Sequence, residues 1–180
     1  MKYIALLRGI NVGGNNKVSM ADLKVALSEA GLANVTTYIN SGNVLFETER
    51  ANETELAKIC EKAIEEKFGF PVGCAVLSER SYKKEVDAAP SWWGKVDPNI
   101  RSDALFVLRH GTARAVVDAV GDVNNEYEWV ATGDRVVFWT VDRRKYTKAR
   151  LPKIIGSDAY RTISMRSSTT TRKLYALLDA

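Results

Sequence analysis

The sequence predicts an α+β chain built from two ferredoxin-like halves, each a β-α-β-β-α-β unit with an antiparallel sheet. Three observations carry this reading. Strand-type runs and helix-type apolar stripes alternate in one fixed order, and that order occurs twice. Turn-forming clusters stand where the plan needs a loop or hairpin, notably Asn40-Ser41-Gly42-Asn43 and Thr132-Gly133-Asp134. Between the two runs, residues 89–102 hold two prolines, one glycine and the pair Trp92-Trp93, the composition of a connector. The expected division is 1–88 for the first half, 89–102 for the connector, and 103–180 for the second half plus an extra C-terminal helix.

In chain order, 2–7 reads as a strand. Ser19 caps a helix over 20–30, where Leu23, Ala26, Leu27 and Ala30 form one apolar face that Gly31 ends. Strands follow at 35–39 and 44–47. A helix over 53–68 carries Leu56, Ile59, Cys60, Ala63, Ile64 and Phe68 on one stripe. The segment 72–77 is the fourth strand and 79–88 a short helix. The second half expects strands at 103–108, 127–131, 135–141 and 162–165. Its helices are expected at 113–120, 147–155 and 169–178. The repeat is one of element order, not of matching residues.

The ferredoxin-like plan orders its strands 4-1-3-2, so the loop after strand 1 and the hairpin between strands 2 and 3 leave the sheet at the same end. Here those segments are Arg8-Gly9-Ile10-Asn11-Val12-Gly13-Gly14-Asn15-Asn16-Lys17 and Asn40-Ser41-Gly42-Asn43. Both hold more polar capacity than turning the chain requires. Glycine and asparagine tolerate φ > 0, so such a loop aims several amides at one point. With Arg8, Lys17 and the helix start beside them, an anion is the expected guest. Arg8 closes an apolar strand just before Gly9, and its planar fork suits phosphate or carboxylate.

Composition bounds the rest. The 180 residues carry a formal charge of +4, unevenly spread: residues 1–100 sum to −1 and residues 101–180 to +5. Six cations and no acid fall within 143–153, between Arg143 and Lys153, either a solvated face or a nucleic-acid contact. The two cysteines, Cys60 and Cys74, lack metal spacing and read as buried free thiols in a reducing compartment, hence a cytoplasmic protein. No apolar run approaches a membrane span or a signal-peptide core, so no membrane partner is expected. The pair Trp92-Trp93 is read as an anchor for the connector, with ligand stacking as the alternative.

The run Tyr3-Ile4-Ala5-Leu6-Leu7-Arg8-Gly9-Ile10-Asn11-Val12-Gly13-Gly14, then Lys17-Val18-Ser19-Met20, then Tyr38-Ile39-Asn40-Ser41-Gly42-Asn43-Val44 resembles the bacterial DUF1697 family, a domain of unknown function. The resemblance covers most of the chain and implies a duplicated ferredoxin-like architecture. It implies no activity. Near the C-terminus that family shows Thr-Arg-Asn-x-Asn-Thr leading into Lys-Leu. Arg166, Thr170 and Lys173 match, which implies their place in the same binding set, while Ser167 and Thr169 replace the two asparagines. Hydroxyls keep donor and acceptor capacity but lose the paired geometry of an amide.

Familiar catalytic machinery is absent. His110 is the single histidine, stands before Gly111 without a nucleophile motif, and is read as a loop residue. No cluster has metal-ligand spacing, so no metal and no cofactor is expected. The glycine loop is neither a P-loop nor a Rossmann fingerprint. Tyr3 and Phe46 do not make the aromatic run of an RNA-recognition sheet. The reading is therefore a small anionic or phosphate-bearing ligand held by Arg8, Gly9, Asn11, Gly13, Gly14, Lys17, Asn40, Ser41, Gly42 and Asn43. The alternatives are a nucleic-acid-binding module using an expected basic groove between the halves (Arg143–Lys153), and an enzyme of unrecognised mechanism.

Overall fold

The structure, a computed structural model, describes residues 1–179. Its first sheet holds β1 (Lys2–Leu7), β2 (Ala33–Tyr38), β3 (Asn43–Glu47) and β4 (Cys74–Ser78) in the order β2-β3-β1-β4. Every pairing is antiparallel, with Tyr3 opposite Phe46 and Leu7 opposite Cys74. Helices α1 (Met20–Glu29) and α2 (Glu53–Phe68) pack on one face. The alternation of β1 turns Tyr3, Ala5 and Leu7 toward them, where they meet Leu23, Leu27, Leu56, Cys60 and Ile64. Each such aliphatic side chain taken fully from water contributes about 1.5–3 kcal/mol, which holds the loop-bearing end of β1 in place.

Capping fixes where the helices start. Ser19 Oγ accepts from the Asp22 amide at 3.4 Å, as the sequence suggested. Asn52 Oδ1 accepts from Thr54 and Glu55 at 2.9 and 3.1 Å, which sets the start of α2, and Gly69 ends that helix in the left-handed region at φ +80°.

After α3 (Glu79–Asp87), the second sheet repeats the plan: β5 (Ile100–Val107), β6 (Glu128–Thr132), β7 (Val136–Asp142) and β8 (Ile163–Ser167) run β6-β7-β5-β8. The architecture is thus α+β with a duplicated ferredoxin-like pattern, and α6 (Ser168–Asp179) is the added C-terminal helix. Two elements differ from the expectation. Strand β5 begins at Ile100, inside the expected connector, because Ile100, Arg101 and Ser102 pair with Asp142, Val141 and Thr140. The helix expected over 147–155 does not form. In its place are two 3-10 turns, Arg143–Lys148 and Leu151–Ile154, and then a one-turn α5 (Asp158–Arg161).

A proline and a long-range acceptor together cause that second difference. Pro152 has no amide to give the Lys148 carbonyl of an α-helix, and the chain leaves the helical region at Ala149, with φ −62° and ψ 153°. Glu128, fully buried on β6, then takes the amides of Arg150 and Leu151 at 2.7 and 3.0 Å and the Trp139 indole N–H at 2.8 Å. A buried carboxylate with three donors outcompetes a helix that would lose one hydrogen bond to proline anyway. The remaining helix of this half, α4 (Ala113–Val120), forms where expected, with Thr112 capping it.

The chain divides into two compact units: Met1–Lys83 with the segment from Leu174 onward, and Lys84–Lys173. The division falls at Lys83–Lys84, a few residues before the 89–102 connector. No described helix is long and apolar enough to cross a membrane.

Candidate functional site

The loop after β1 is a small hairpin in its own right. Gly9, at φ +66°, turns the chain off the sheet, and Ile10 plunges back into the core. Asn11 then pairs with Asn16 and Val12 with Asn15, through Asn11 N–H to Asn16 O and Asn15 N–H to Val12 O, both 3.1 Å. Gly13 and Gly14 between them have φ of +59° and +81°. Two successive positive φ values are the type I′ turn of a two-residue hairpin, which side-chained residues make only under strain. Val12 sits in it 66% exposed.

One side chain ties this loop to everything around it. Asn11 Oδ1 accepts from the Val18 amide at 2.9 Å, and its Nδ2 donates to the carbonyls of Val18 and Asn40, each at 2.9 Å. Val18 leads directly into the Ser19 cap of α1, and Asn40 lies in the hairpin between β2 and β3. Asn16 Nδ2 adds a bond to Gly9 O at 3.1 Å. The two Gly/Asn-rich segments therefore meet, as the strand directions require.

The hairpin is packed close beneath. Leu7 N–H donates to Gly42 O at 2.8 Å, and a Cβ on Gly42 would stand 2.6 Å from Leu7 Cβ and 2.8 Å from Ile10 Cδ1. Glycine is required there by space as well as by its φ of +75°. Asn43 is fully buried and donates to Tyr38 O at 2.9 Å and Ser41 Oγ at 3.0 Å, closing the turn. Ile39 bears the strain, with a β-branched side chain at φ +50°.

What remains open is a shallow cleft of about 500 Å³ lined by Asn11, Gly14, Lys17, Val18, Ser19, Met20 and Asn40. Ser19 serves the Asp22 amide, so the Met20 and Ala21 amides at the start of α1 have no acceptor among the described residues. Lys17 and the Asn40 side chain stand exposed at the cleft. Of the residues expected to bind, Asn11, Gly14, Lys17 and Asn40 line it. Gly13 lies in the adjoining turn. Arg8, Gly9, Ser41, Gly42 and Asn43 do not line it; Arg8 is half-buried at the end of β1, its amide bonded to Gly73 O at 2.9 Å.

The family described as a protein of unknown function (DUF1697) matches residues 1–138, a stretch that includes the loop, the hairpin and the whole first sheet. The chain belongs to the DUF1697 family. The solved structure of the conserved bacterial protein SP0830 from Streptococcus pneumoniae is similar to it, with 30% identity, a TM-score of 0.85 and 98% of each chain covered. No curated protein matches the chain.

The C-terminal residues assigned to the site from the DUF1697 resemblance lie beyond the matched stretch, on or just after β8. Arg166 is buried on β8, its Nη1 donating to Ser164 Oγ at 3.0 Å and Met165 O at 2.8 Å. Thr170 N–H donates to Ser167 Oγ at 3.2 Å, so these hydroxyls cap α6. Lys173 is exposed on that helix. The basic run 143–153 is partly spent within the chain. Arg144 forks onto Asp142 at 2.6 Å and holds its carboxyl down at about 2, Arg143 Nε donates to Ile100 O, and Arg150 Nε donates to Val120 O. Trp93 is buried, with its indole N–H on Asp103 O at 2.9 Å, so it anchors the connector onto β5, whereas Trp92 is half-exposed.

A feature that sequence reasoning passed over lies on this DUF1697 protein's second sheet. Asp103 is 5% exposed, with Oδ2 accepting from Arg101 Nε at 2.6 Å. Burial pushes its carboxyl above the usual range, against the pull of Arg101 and Arg143. The available signal was Arg101 and Asp103 two residues apart, which places them on one face of a strand. It was lost because the strand was expected to begin only at 103.

Proposed function

We propose that this DUF1697 protein binds a small anionic, phosphate-bearing ligand in the cleft between the Gly13-Gly14 loop, the start of α1 and the hairpin residue Asn40. The observation that carries the reading is the Asn11 clasp. Its three hydrogen bonds, all 2.9 Å, hold three segments rigid around open amides and one exposed lysine. Preorganised donors bind an anion without the ordering cost that a floppy loop incurs. The first amides of α1 point positive partial charge at the cleft, and Lys17 adds a full one. Lys17 takes the role of central cation that the sequence reading gave to Arg8. The free, buried thiols of Cys60 and Cys74 fit a cytoplasmic setting, which is part of the same proposal.

The test is a thermal-shift and calorimetric titration with inorganic phosphate and pyrophosphate on wild type, Lys17→Gln and Gly14→Ala. A ligand at a hundredfold excess over its Kd stabilises by about 2.7 kcal/mol, so a saturating rise in Tm is expected for wild type. Lys17→Gln is expected to bind several-fold more weakly at unchanged ligand-free Tm. Equal binding by wild type and both variants overturns the proposal.

A further inference from the structure

We infer that a second cleft, in the unit Lys84–Lys173, is a binding site for a small phosphomonoester that carries a hydroxyl or amino group beside its phosphate. The cleft, about 860 Å³, lies among the connector residues 94–98, the start of β5 and the first turn of α6. Opposite charges line it without neutralising each other. Arg143 reaches it with Nε bonded to Ile100 O at 3.3 Å, while its two terminal nitrogens bond to nothing among the described residues. Arg172 lies over the Trp93 ring at 5.8 Å, and Lys95 is exposed at the rim.

Asp103 forms the counterpart. Its Oδ2 is occupied by Arg101, but Oδ1 accepts no hydrogen bond. Every fully buried side-chain polar atom among the described residues does have a partner. Oδ1 therefore touches open space, and the open space that Asp103 lines is this cleft. Arg143 acts electrostatically on Asp103, yet no ion pair joins them. A cation with free donors and a carboxylate with a free acceptor are thus held facing one cavity.

A ligand that fills this arrangement needs an anionic end and a donor end. Lys95, Arg143 and Arg172 outnumber the remaining acid, Asp97, whose Oδ1 is taken by the Asn99 amide at 2.7 Å. That balance favours a dianion, and guanidinium forks match phosphate oxygens. The Ser168 and Thr169 amides add donors at the start of α6, where Ser167 Oγ already serves Thr170. Asp103 Oδ1 then accepts from the hydroxyl or amine, the pairing a buried carboxylate requires.

The experiment is a site-resolved amide titration of the full chain with glycerol 3-phosphate, inorganic phosphate and glycerol, read at Gly94, Ser168 and Thr169. Glycerol 3-phosphate is expected to shift these amides saturably, with inorganic phosphate and glycerol each weaker by about tenfold or more, the worth of one charge-assisted hydrogen bond. Arg143→Gln, an exposed substitution, is expected to weaken glycerol 3-phosphate about tenfold. Asp103→Asn is expected to remove the preference for glycerol 3-phosphate over inorganic phosphate. Two results overturn the inference: no saturable shift at these amides at concentrations up to about 1 mM, or equal affinity in wild type and Arg143→Gln. If Asp103→Asn does not fold, the Arg143 comparison decides. The Gly14, Lys17 and Met20 amides report the loop cleft separately in the same spectra, so failure at one site is distinct from failure at the other.

Discussion

The Asn11 side-chain nitrogen Nδ2 lies 2.9 Å from the Asn40 backbone carbonyl oxygen, and the two residues are 29 positions apart in the chain. That bond is what turns a glycine-rich loop and a separate hairpin into one surface. Asn11 also satisfies both backbone groups of Val18, as a neighbouring strand would. Asn11→Ala is expected to lower stability by about 2–3 kcal/mol, from three lost hydrogen bonds and an alanine forced to positive φ. Asn11→Gly loses the same bonds but tolerates φ +53°, so it is expected to cost about 1 kcal/mol less. Urea unfolding of the pair separates the clasp from the backbone.

Ile39 supplies the opposite experiment. It is 50% exposed and holds a β-branched side chain at φ +50° next to Asn40. Ile39→Gly is expected to raise stability by about 1 kcal/mol, since it relieves strain and gives up little burial. Equilibrium unfolding measures it, and a destabilised variant would show that the Ile39 side chain is packed in a way its exposure does not reveal.

Gly42 and Gly13 both have positive φ but differ in surroundings. A Cβ at Gly42 would meet Leu7 Cβ at 2.6 Å, whereas one at Gly13 meets nothing within 4 Å. Gly42→Ala is expected to cost more than about 2 kcal/mol through overpacking plus strain, and Gly13→Ala about 1 kcal/mol through strain alone. Similar Tm losses for the two would contradict the close packing of the hairpin on Leu7 and Ile10.

Much of this was legible in the sequence, for reasons specific to each part. Leu23, Leu27, Leu56, Cys60 and Ile64 announced their helices by spacing, and the short apolar runs 2–7 and 44–47, set off by the turn cluster 40–43, announced the sheet. Topology then placed the Asn40 turn beside the Asn11 loop before any coordinate. What was not legible depended on long-range partners. The 147–155 segment has helical composition apart from Pro152, but its fate is decided by Glu128 on a distant strand. Arg8 looked like the central cation from its position alone, whereas the cleft wall is built from Lys17 and the start of α1. Asp103 could not be recognised as half of an open charge arrangement until Arg143 was brought near it.

Glu85 gives a pH test. It is buried on α3 and accepts from the Asp134 and Arg135 amides at 3.1 and 2.7 Å, pinning the turn between β6 and β7. Burial pushes its carboxyl above the ordinary glutamate range despite those bonds. A folded-state value above the unfolded one means the native state takes up the proton first as pH falls. The contribution of Glu85 to stability therefore rises as pH drops through the raised folded value and levels off below the unfolded one. Relative to Glu85→Gln, wild type is expected to gain stability over that window; Asp134, held low by Lys84, is common to both proteins. Urea unfolding across the window checks it, and a difference independent of pH would contradict it. Glu85→Ala, which leaves two amides without an acceptor, is expected to cost about 2–3 kcal/mol above that window and more below it.

The most direct test of the loop cleft is an amide chemical-shift titration of the isotope-labelled chain with inorganic phosphate. Saturable shifts are expected at Gly14, Lys17, Met20 and Ala21, with one common Kd, and their loss is expected in Lys17→Gln. Asp22→Asn removes a like charge from the first turn of α1 and is expected to tighten binding. Phosphate shifts that leave those four amides unmoved, or that persist unchanged in Lys17→Gln, would contradict the anion site.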